Sequence, residues 1–278
     1  MRRRLAGLLL GVAVLAVLAW APPAAAAPPK CLIINDALNA SYQSLQAAQD
    51  AASAGATLWV RGRCVGPTEI TKALTLTGQQ PLGFTAPTLD GAGRGSVLRI
   101  NLGVAVTINT LTISGGSAVR AGGGIHNDGT VTLNHSTVSG NHAQVGGGID
   151  NYYGAVTLNG SSSVTRNTAE YGGGILNEGG TVTLNHSSSV NGNDAPDGGG
   201  IFNVYGGTVT LNGSSSISGN HAEVGGGIRN SSTVNLNDSS SISDNIAEFN
   251  GGGIFNDPGG TVNLNGGTVT GNQPNDIF

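Results

Sequence analysis

Charged residues are scarce in this 278-residue chain: Asp, Glu, Lys and Arg together make up 10% of it, and aromatic residues only 4%. Lysine is nearly missing, since it occurs only as Lys30 and Lys72. From Ala121 onward, Arg166 and Arg229 are the only basic residues besides histidine, against twelve acidic residues. Such a surface would repel a phosphate backbone, so we exclude nucleic acid as a partner.

Long apolar runs are also missing, except at the N-terminus. The opening stretch MRRRLAGLLLGVAVLAVLAWAPPAAAAPP has three arginines, an apolar run from Leu5 to Trp20, and small residues up to Ala26. The run is shorter than the roughly 20 residues of a membrane-spanning helix, and the pattern is typical of a secretory signal peptide. We expect cleavage after Ala26, no membrane span in the mature chain, and a protein that is secreted or associated with a cell surface.

Cysteine is limited to Cys31 and Cys64. Because an oxidising compartment favours disulfides, we expect these two residues to be bonded to each other. The predicted organisation is a signal peptide at 1–26, an N-terminal segment with a capping helix at 27–56, and a repeat domain at 57–278.

Glycine, in contrast, is abundant, with 47 residues, and it is periodic. The motif GGGI begins at Gly122, Gly146, Gly172, Gly198, Gly225 and Gly251. A leucine in VTLN or VNLN, and a branched residue three before an asparagine, recur at nearly the same step of about 26 residues. The alternation in TVTLN is that of a β-strand, and one repeat holds three short strands. We therefore predict an all-β fold, a parallel β-helix solenoid of about eight three-strand coils.

Stacking of coils explains the recurring residue types. One coil cannot bury its Ile, Leu and Val, whereas stacked coils align them into interior columns. Glycine allows positive φ where a coil turns sharply, and asparagine both tolerates the left-handed region and can bond to an asparagine of the next coil. The asparagines two residues after each repeat isoleucine are predicted to point inward as a ladder: Asn127, Asn151, Asn177, Asn203, Asn230 and Asn256.

The coils extend back before the first glycine motif, and the two ends differ. VLRINLGVAVTINTLTISGG aligns Ile100, Ile108 and Ile113 with Ile125, Leu133 and Val138. SLQAAQDAASAG has helical spacing from Leu45 and a stop at Gly55, so a short α-helix is predicted to cap the first coil. After Asn272 only QPNDIF remains, with Pro274 as the one edge-breaking residue. The C-terminal end is therefore predicted to be less well protected.

Two parts of the sequence resemble known proteins. The stretch SLQAAQDAASAGATLWVRGRCVGPTEITKALTLTG is similar to the N-terminal start of right-handed β-helix proteins of the pectin-lyase-like superfamily. The repeats resemble those of polymorphic outer-membrane proteins, which carry GGA[ILV] and FxxN where this chain has GGGI and [VI]xxN. The resemblance covers roughly residues 41–272 and implies a right-handed helix. It implies no single activity, because that superfamily contains lyases, hydrolases and adhesins.

The sequence predicts no catalytic residues and no cofactor. Glu223 and Glu248 fall in one column on adjacent coils and are the candidates for sharing a cation, but the favoured interpretation is a pair of solvated turn carboxylates. His126 stands alone in its column, and surface exposure is the favoured interpretation for all five histidines. If the chain is an enzyme, the resemblance implies a polysaccharide lyase or a glycoside hydrolase.

One flank gathers most of the few aromatic residues. The position after each repeat isoleucine is variable and is predicted to face outward. We predict a ligand-binding face there, formed by Tyr171, Phe202, Tyr205, Arg229 and Phe255, since aromatic surfaces stack on sugars or dock proteins. The predicted function is a secreted, non-catalytic surface-binding or adhesin-like protein whose partner is a cell-surface glycan or protein; a carbohydrate-active lyase or hydrolase is the alternative.

A second alternative rests on threonine. Outward threonine pairs recur as Thr130 and Thr132, Thr181 and Thr183, and Thr208 and Thr210. Stacked coils would arrange their hydroxyls as a regular grid, which resembles the TxT faces of β-helical ice-binding proteins. Threonine is also common on exposed strands, and Ala155, Asn235 and Asn263 interrupt the grid, so ice binding remains the second alternative.

Overall fold

The computed structural model describes residues 31–278, and the predicted signal peptide at 1–26 lies outside the described residues. The described chain is a parallel β-solenoid of about eight turns. Each turn, or coil, adds one strand to each of three parallel sheets. The sheets are numbered here in the order in which the chain passes through them within one coil. The predicted β-solenoid of about eight three-strand coils is confirmed.

The strands are short and regularly spaced. Sheet 1 consists of Thr68–Ile70, Leu98–Ile100, Ile125–Asn127, Ile149–Tyr152, Ile175–Glu178, Ile201–Val204, Ile228–Asn230 and Ile254–Asn256. Sheet 2 consists of Leu74–Gly78, Ala105–Asn109, Thr130–Asn134, Ala155–Asn159, Thr181–Leu184, Thr208–Leu211, Thr233–Asn237 and Thr261–Asn265. Sheet 3 consists of Thr88–Asp90, Thr112–Ser114, Thr137–Ser139, Ser163–Thr165, Ser189–Asn191, Ser216–Ser218, Ser241–Ser243 and Thr268–Thr270.

A longer strand, Ala56–Val65, begins the stack by pairing with the first strands of both sheet 2 and sheet 3. Two short strand pairs close the fourth side of the coils: Ser117–Ala121 with His142–Val145, and His221–Val224 with Ile246–Asn250.

The core lies inside the coils. In sheet 2, for example, Val131 and Leu133 pair with Val156 and Leu158 of the next coil, and all four side chains are at most 1% exposed. Burial of such a side chain contributes about 1.5 to 3 kcal/mol. Because side chains alternate along a strand, the residues between them face outward.

The predicted asparagine ladder is present. In each step the Nδ2 of one asparagine donates to the Oδ1 of the asparagine in the next coil, from Asn127 to Asn256, at 2.7 to 2.9 Å. Each of these Nδ2 groups also donates to a backbone carbonyl of its own coil, as Asn177 does to Gly180. The ladder therefore satisfies polar groups that would otherwise be buried without partners.

A second buried ladder was not predicted. It follows the [VI]xxN asparagines Asn141, Asn167, Asn193, Asn220, Asn245 and Asn272, which are 0 to 7% exposed. From Asn167 onward each Oδ1 accepts both the backbone N–H and the Nδ2 of the asparagine in the preceding coil, at 2.9 to 3.0 Å. The strict recurrence of these asparagines was the available sequence signal.

The triple glycines combine two requirements. Gly172 has a φ of +64°, which suits glycine at a sharp turn. Gly173 instead lies against the next coil, where an added Cβ would be 2.5 Å from the carbonyl oxygen of Asp194. Positive φ therefore accounts for the first glycine of the motif, and close backbone approach for the second.

The register predicted for Ile100 was wrong. Leu98, rather than Ile100, pairs with Ile125, and Ile100 pairs with Asn127 at the foot of the first ladder. The predicted pairs Ile108–Leu133 and Ile113–Val138 are confirmed. The connection from sheet 1 to sheet 2 is longer in the earlier coil, so a constant step of 25 residues cannot hold for all three strands.

The N-terminal end has the predicted cap. An α-helix spans Leu45–Ala51, with the Ser44 side chain accepting from the Ala47 amide, and ends before Gly55. Strands Cys31–Asn35 and Ala40–Tyr42 and the 3-10 helix Asp36–Leu38 precede it. Cys31–Asn35 pairs antiparallel with Ala56–Val65, and a Cys31–Cys64 disulfide, as predicted, joins these two strands.

The C-terminal end is partly covered, which the sequence did not predict. The last residues begin another turn: the Asp276 carbonyl accepts from the Ile254 amide, and the Asn256 amide donates to Phe278. Asp276 Oδ1 also accepts from the backbone N–H and Nδ2 of Asn272, which ends the second ladder. The last strand of sheet 2 remains uncovered, so Leu264 is 49% exposed.

Candidate functional site

The outer face of sheet 1 forms a groove along the solenoid. Its floor is the first outward position of each strand, and the Cα pairing keeps these residues in one column: Glu69, Arg99, His126, Asp150, Leu176, Phe202, Arg229 and Phe255. Although they lie on the outer face, Leu176 and Asp150 are only 2% and 3% exposed. Tyr171, before the strand of Leu176, and Tyr205, after the strand of the next coil, form opposite walls beside Leu176, and His126 contacts Asp150.

One half of the groove holds what we call the aromatic stack, defined as Tyr171, Phe202, Arg229, Phe255 and Phe278. The rings of Tyr171 and Phe202 are stacked at 6.0 Å, and those of Phe255 and Phe278 at 5.3 Å. The Arg229 guanidinium lies between them, 5.3 Å from the centre of the Phe202 ring and 5.7 Å from that of Phe255. The structure thus brings together four of the five residues predicted for the ligand-binding face.

The fifth predicted residue, Tyr205, lies outside this stack. It sits on the wall of the groove and is 73% exposed. Phe278, which the sequence did not indicate, joins the stack because the C-terminal residues begin another turn beside Phe255.

Two carboxylates hold the guanidinium of Arg229. Its Nη1 contacts Asp197, and its Nε donates to Asp257 at 3.3 Å. Burial lowers the pKa of Arg229, but the charges and hydrogen bonds of Asp197 and Asp257 raise it by more, so the net shift is upward. The groove therefore contains a fixed cation between two rings and two acids.

The other half of the groove holds a histidine–aspartate cluster. His126 Nδ1 lies 2.7 Å from Asp150 Oδ2, and His126 Nε2 lies 3.2 Å from Asp128 Oδ2. Arg99 contacts the same Asp128 oxygen at 3.3 Å. The expectation of an isolated surface histidine is wrong for His126, which is only 9% exposed. Its aspartate partner on the next coil is 24 residues away and becomes a neighbour only through the coil register.

Between the two halves lies a cavity of about 200 Å³. It is lined by Val145, Tyr171, Leu176, Glu178, Phe202, Val204 and Tyr205. Burial, followed by the charge of Asp150, raises the pKa of the Glu178 carboxyl. Asp150 Oδ1 is itself buried and has no hydrogen-bond partner among the described residues. Sequence reasoning missed Glu178 because most other repeats have no carboxylate at the equivalent position.

The two carboxylates considered for a cation lie elsewhere. Glu223 and Glu248 are both exposed, on the fourth side of the coils. Within residues 31–278 no group of three or more His, Cys, Asp or Glu residues is arranged to hold a metal ion. The exposed His221 pairs with Asp194 at 2.9 Å on the same side.

The outer face of sheet 2 is a separate surface. Its central column is an unbroken run of seven threonines, which the sequence showed only in part: Thr57, Thr75, Thr107, Thr132, Thr157, Thr183 and Thr210. Asn235 and Asn263 continue the column. Beside it runs a third asparagine ladder, in which Asn134, for example, donates to Asn109 at 2.8 Å.

Comparison of the chain with models of known protein families, with curated proteins and with solved structures gave no match. None of the helices within residues 31–278 has the length and apolar character needed to cross a membrane.

Proposed function

We propose that this protein is an extracytoplasmic, non-catalytic binding module that docks an extended cell-surface polysaccharide along the groove of sheet 1. The observation that carries the proposal is the aromatic stack, from Tyr171 to Phe278, because it forms an apolar strip with one fixed cation along the groove, and the apolar faces of successive sugar rings can pack along such a strip. Arg229, held by two carboxylates, keeps the flanking rings in place.

The groove favours binding over catalysis. Glycoside hydrolysis needs two carboxyl groups on opposite sides of one bond. Glu178 lines the cavity, but Asp150 is only 3% exposed, and its Oδ2 is occupied by His126. With a single reachable carboxyl group, the cavity supports recognition of a ligand better than its cleavage.

Separate observations support two further proposals, that the protein is exported and that it is related to known β-helix proteins. A cleaved signal peptide at 1–26 agrees with the Cys31–Cys64 disulfide, since disulfides persist in oxidising compartments. A right-handed coil of the pectin-lyase-like type agrees with the strong preference of parallel crossovers for that hand. The glycine and asparagine positions of the repeat, GGGI and [VI]xxN, are the reason to propose a kinship with polymorphic outer-membrane repeats.

The test is a polysaccharide and cell-surface binding screen with residues 27–278. We expect Phe202→Ala and Phe255→Ala each to weaken binding by about 2 kcal/mol, which is roughly thirtyfold in Kd. Phe84→Ala is the matched control, because Phe84 lies in the connection between sheets 2 and 3 of the first coil. Binding that survives both groove substitutions unchanged would contradict the proposal.

A second candidate function follows from one specific observation, the unbroken threonine column of sheet 2 from Thr57 to Thr210. Neighbouring coils place its hydroxyls about 4.8 Å apart. Such a periodic hydroxyl surface suits an ordered lattice of ligand groups, and ice is the lattice that we propose for it.

A further inference from the structure

We infer that the cavity at Glu178 binds a small organic cation with a quaternary ammonium group, such as choline. The inference rests on the proposed function, because it takes the groove of sheet 1 to be the ligand-binding surface. It adds that the ligand carries a quaternary ammonium group, which this cavity binds.

Three aromatic side chains border the cavity: Tyr171, Phe202 and Tyr205. The faces of aromatic rings are electronegative and attract cations within about 6 Å of the ring centre. The volume, about 200 Å³, is below the roughly 300 to 1,000 Å³ of sites for drug-sized ligands. A compact headgroup therefore suits this cavity better than a whole oligosaccharide.

The same groove already holds a cation in this way. Arg229 lies over the rings of Phe202 and Phe255 and is paired with two carboxylates, Asp197 and Asp257. Next to it, the cavity combines rings from Tyr171, Phe202 and Tyr205 with the carboxyl group of Glu178, and the buried Asp150 adds negative charge nearby. In the cavity the chain supplies the rings and one carboxyl group, and the ligand would supply the cation.

The carboxyl group of Glu178 is available to a ligand. Within the described part of the chain it makes no ion pair and no side-chain hydrogen bond, whereas Asp197 and Asp257 are both paired with Arg229. Asp150 lies behind it on the preceding coil and adds negative charge. A cation in the cavity would offset the repulsion between these two acids.

The rest of the lining selects the kind of cation. Val145, Leu176 and Val204 offer no hydrogen-bond acceptor from their side chains. A primary ammonium is strongly hydrated and would lose water without replacement partners. A methylated ammonium has no N–H group to satisfy, so it fits an apolar and aromatic lining with one acid.

Isothermal titration calorimetry of residues 27–278 with choline tests the inference. We expect saturable binding at least tenfold tighter than that of 3,3-dimethylbutan-1-ol, which has the same shape and no charge. Glu178→Gln and Tyr205→Leu should each weaken choline binding about tenfold. Glu170→Gln is the matched control, since Glu170 is an exposed carboxylate outside the cavity lining.

Affinity for choline should rise with pH. Burial and Asp150 raise the pKa of Glu178 in the free cavity, so its carboxyl stays protonated to a higher pH than an ordinary glutamate, and the bound cation favours its charged form. Affinity should level off above that pKa. His126, which contacts Asp150, and Tyr152, Tyr171 and Tyr205 are the other titratable neighbours, and Arg229 is already paired with Asp197. Glu178→Gln should remove the carboxyl's part of this dependence.

Two results would overturn the inference: no saturable choline binding, or equal affinity for choline and its neutral analogue, which would indicate only an apolar pocket. Phe255→Ala separates this inference from the proposed function, because Phe255 belongs to the aromatic stack but not to the cavity lining. If Phe255→Ala weakens polysaccharide binding and choline does not bind, the inference fails and the proposed function stands. If polysaccharide binding is missing from the start, the proposed function fails by itself.

Discussion

Asparagine shows how one residue type takes different roles in this chain. Asn177 points inward, where it is completely buried and links two coils and a turn. Asn185 lies at the end of a sheet 2 strand and bonds Asn159 on the partly exposed face. The side of the strand on which the residue falls, rather than its chemistry, decides whether losing it leaves buried polar groups without partners.

Replacing Asn177 with alanine should lower the free energy of unfolding by about 2 to 3 kcal/mol, because Asn203 Oδ1 and Gly180 O lose a buried donor. Equilibrium unfolding in urea measures this change. Asn263→Ala is the control: Asn263 is an exposed residue on the outer face of sheet 2, and we expect a change within about 0.5 kcal/mol. Equal losses in the two variants would show that the ladder adds nothing specific.

The coil is the element that the sequence predicted best. Six glycine motifs, an alternating strand and a recurring asparagine were enough to place the three sheets and the first ladder, because each has a strict period. Ile100 was misplaced because a periodic alignment assumes equal connections, and the connection after Leu98–Ile100 is longer than that after Ile125–Asn127.

The candidate site was less predictable than the coils. Alternation identified the outward column and hence Phe202, Arg229 and Phe255. The ion pairs of His126 and the exposure of Glu178 depend on the conformation of the turns in neighbouring coils. The periodic pattern of the sequence does not determine that conformation. The burial of Asp150 is the clearest case: it belongs to the outward column that alternation identified, yet it is only 3% exposed.

The N-terminal cap is the element whose attachment can be tested separately. The Cys31–Cys64 bond closes a sequence separation of 33 residues, for which loop entropy predicts a contribution of about 4 kcal/mol. In a Cys31→Ser, Cys64→Ser variant, hydrogen exchange should accelerate in Cys31–Asn35 and in the helix Leu45–Ala51. Coils contact only their neighbours, so the amides of Ile175–Glu178 should keep their protection and serve as the internal control. Uniform acceleration along the chain would contradict this local effect.

At the scale of the whole molecule, the stacking of about eight coils aligns equivalent outward residues into columns. All of these columns have the same spacing between coils. The groove of sheet 1 varies from coil to coil, from His126 to Phe255, whereas the central column of sheet 2 keeps threonine over seven strands. The variable face suits a ligand with distinct groups, and the uniform face suits a periodic one.

Ice recrystallisation assays test the uniform face. If it binds ice, the unmodified protein should inhibit recrystallisation, and Thr183→Leu combined with Thr210→Leu should abolish the inhibition, because two adjacent hydroxyls of the column are lost. Thr137→Leu combined with Thr165→Leu is the matched control on the outer face of sheet 3. No inhibition by the unmodified protein, or the same loss in both double variants, would count against this candidate.

The second asparagine ladder also gives the whole molecule a direction. From Asn141 to Asn272 each amide group donates toward the C-terminus, so its side-chain dipoles add along the solenoid axis much as peptide dipoles add in an α-helix. The positive end of that row falls at Asn272, where the carboxylate of Asp276 accepts its last hydrogen bonds. A negative charge there compensates the polarity of the row, as an acidic residue does at the N-terminus of a helix.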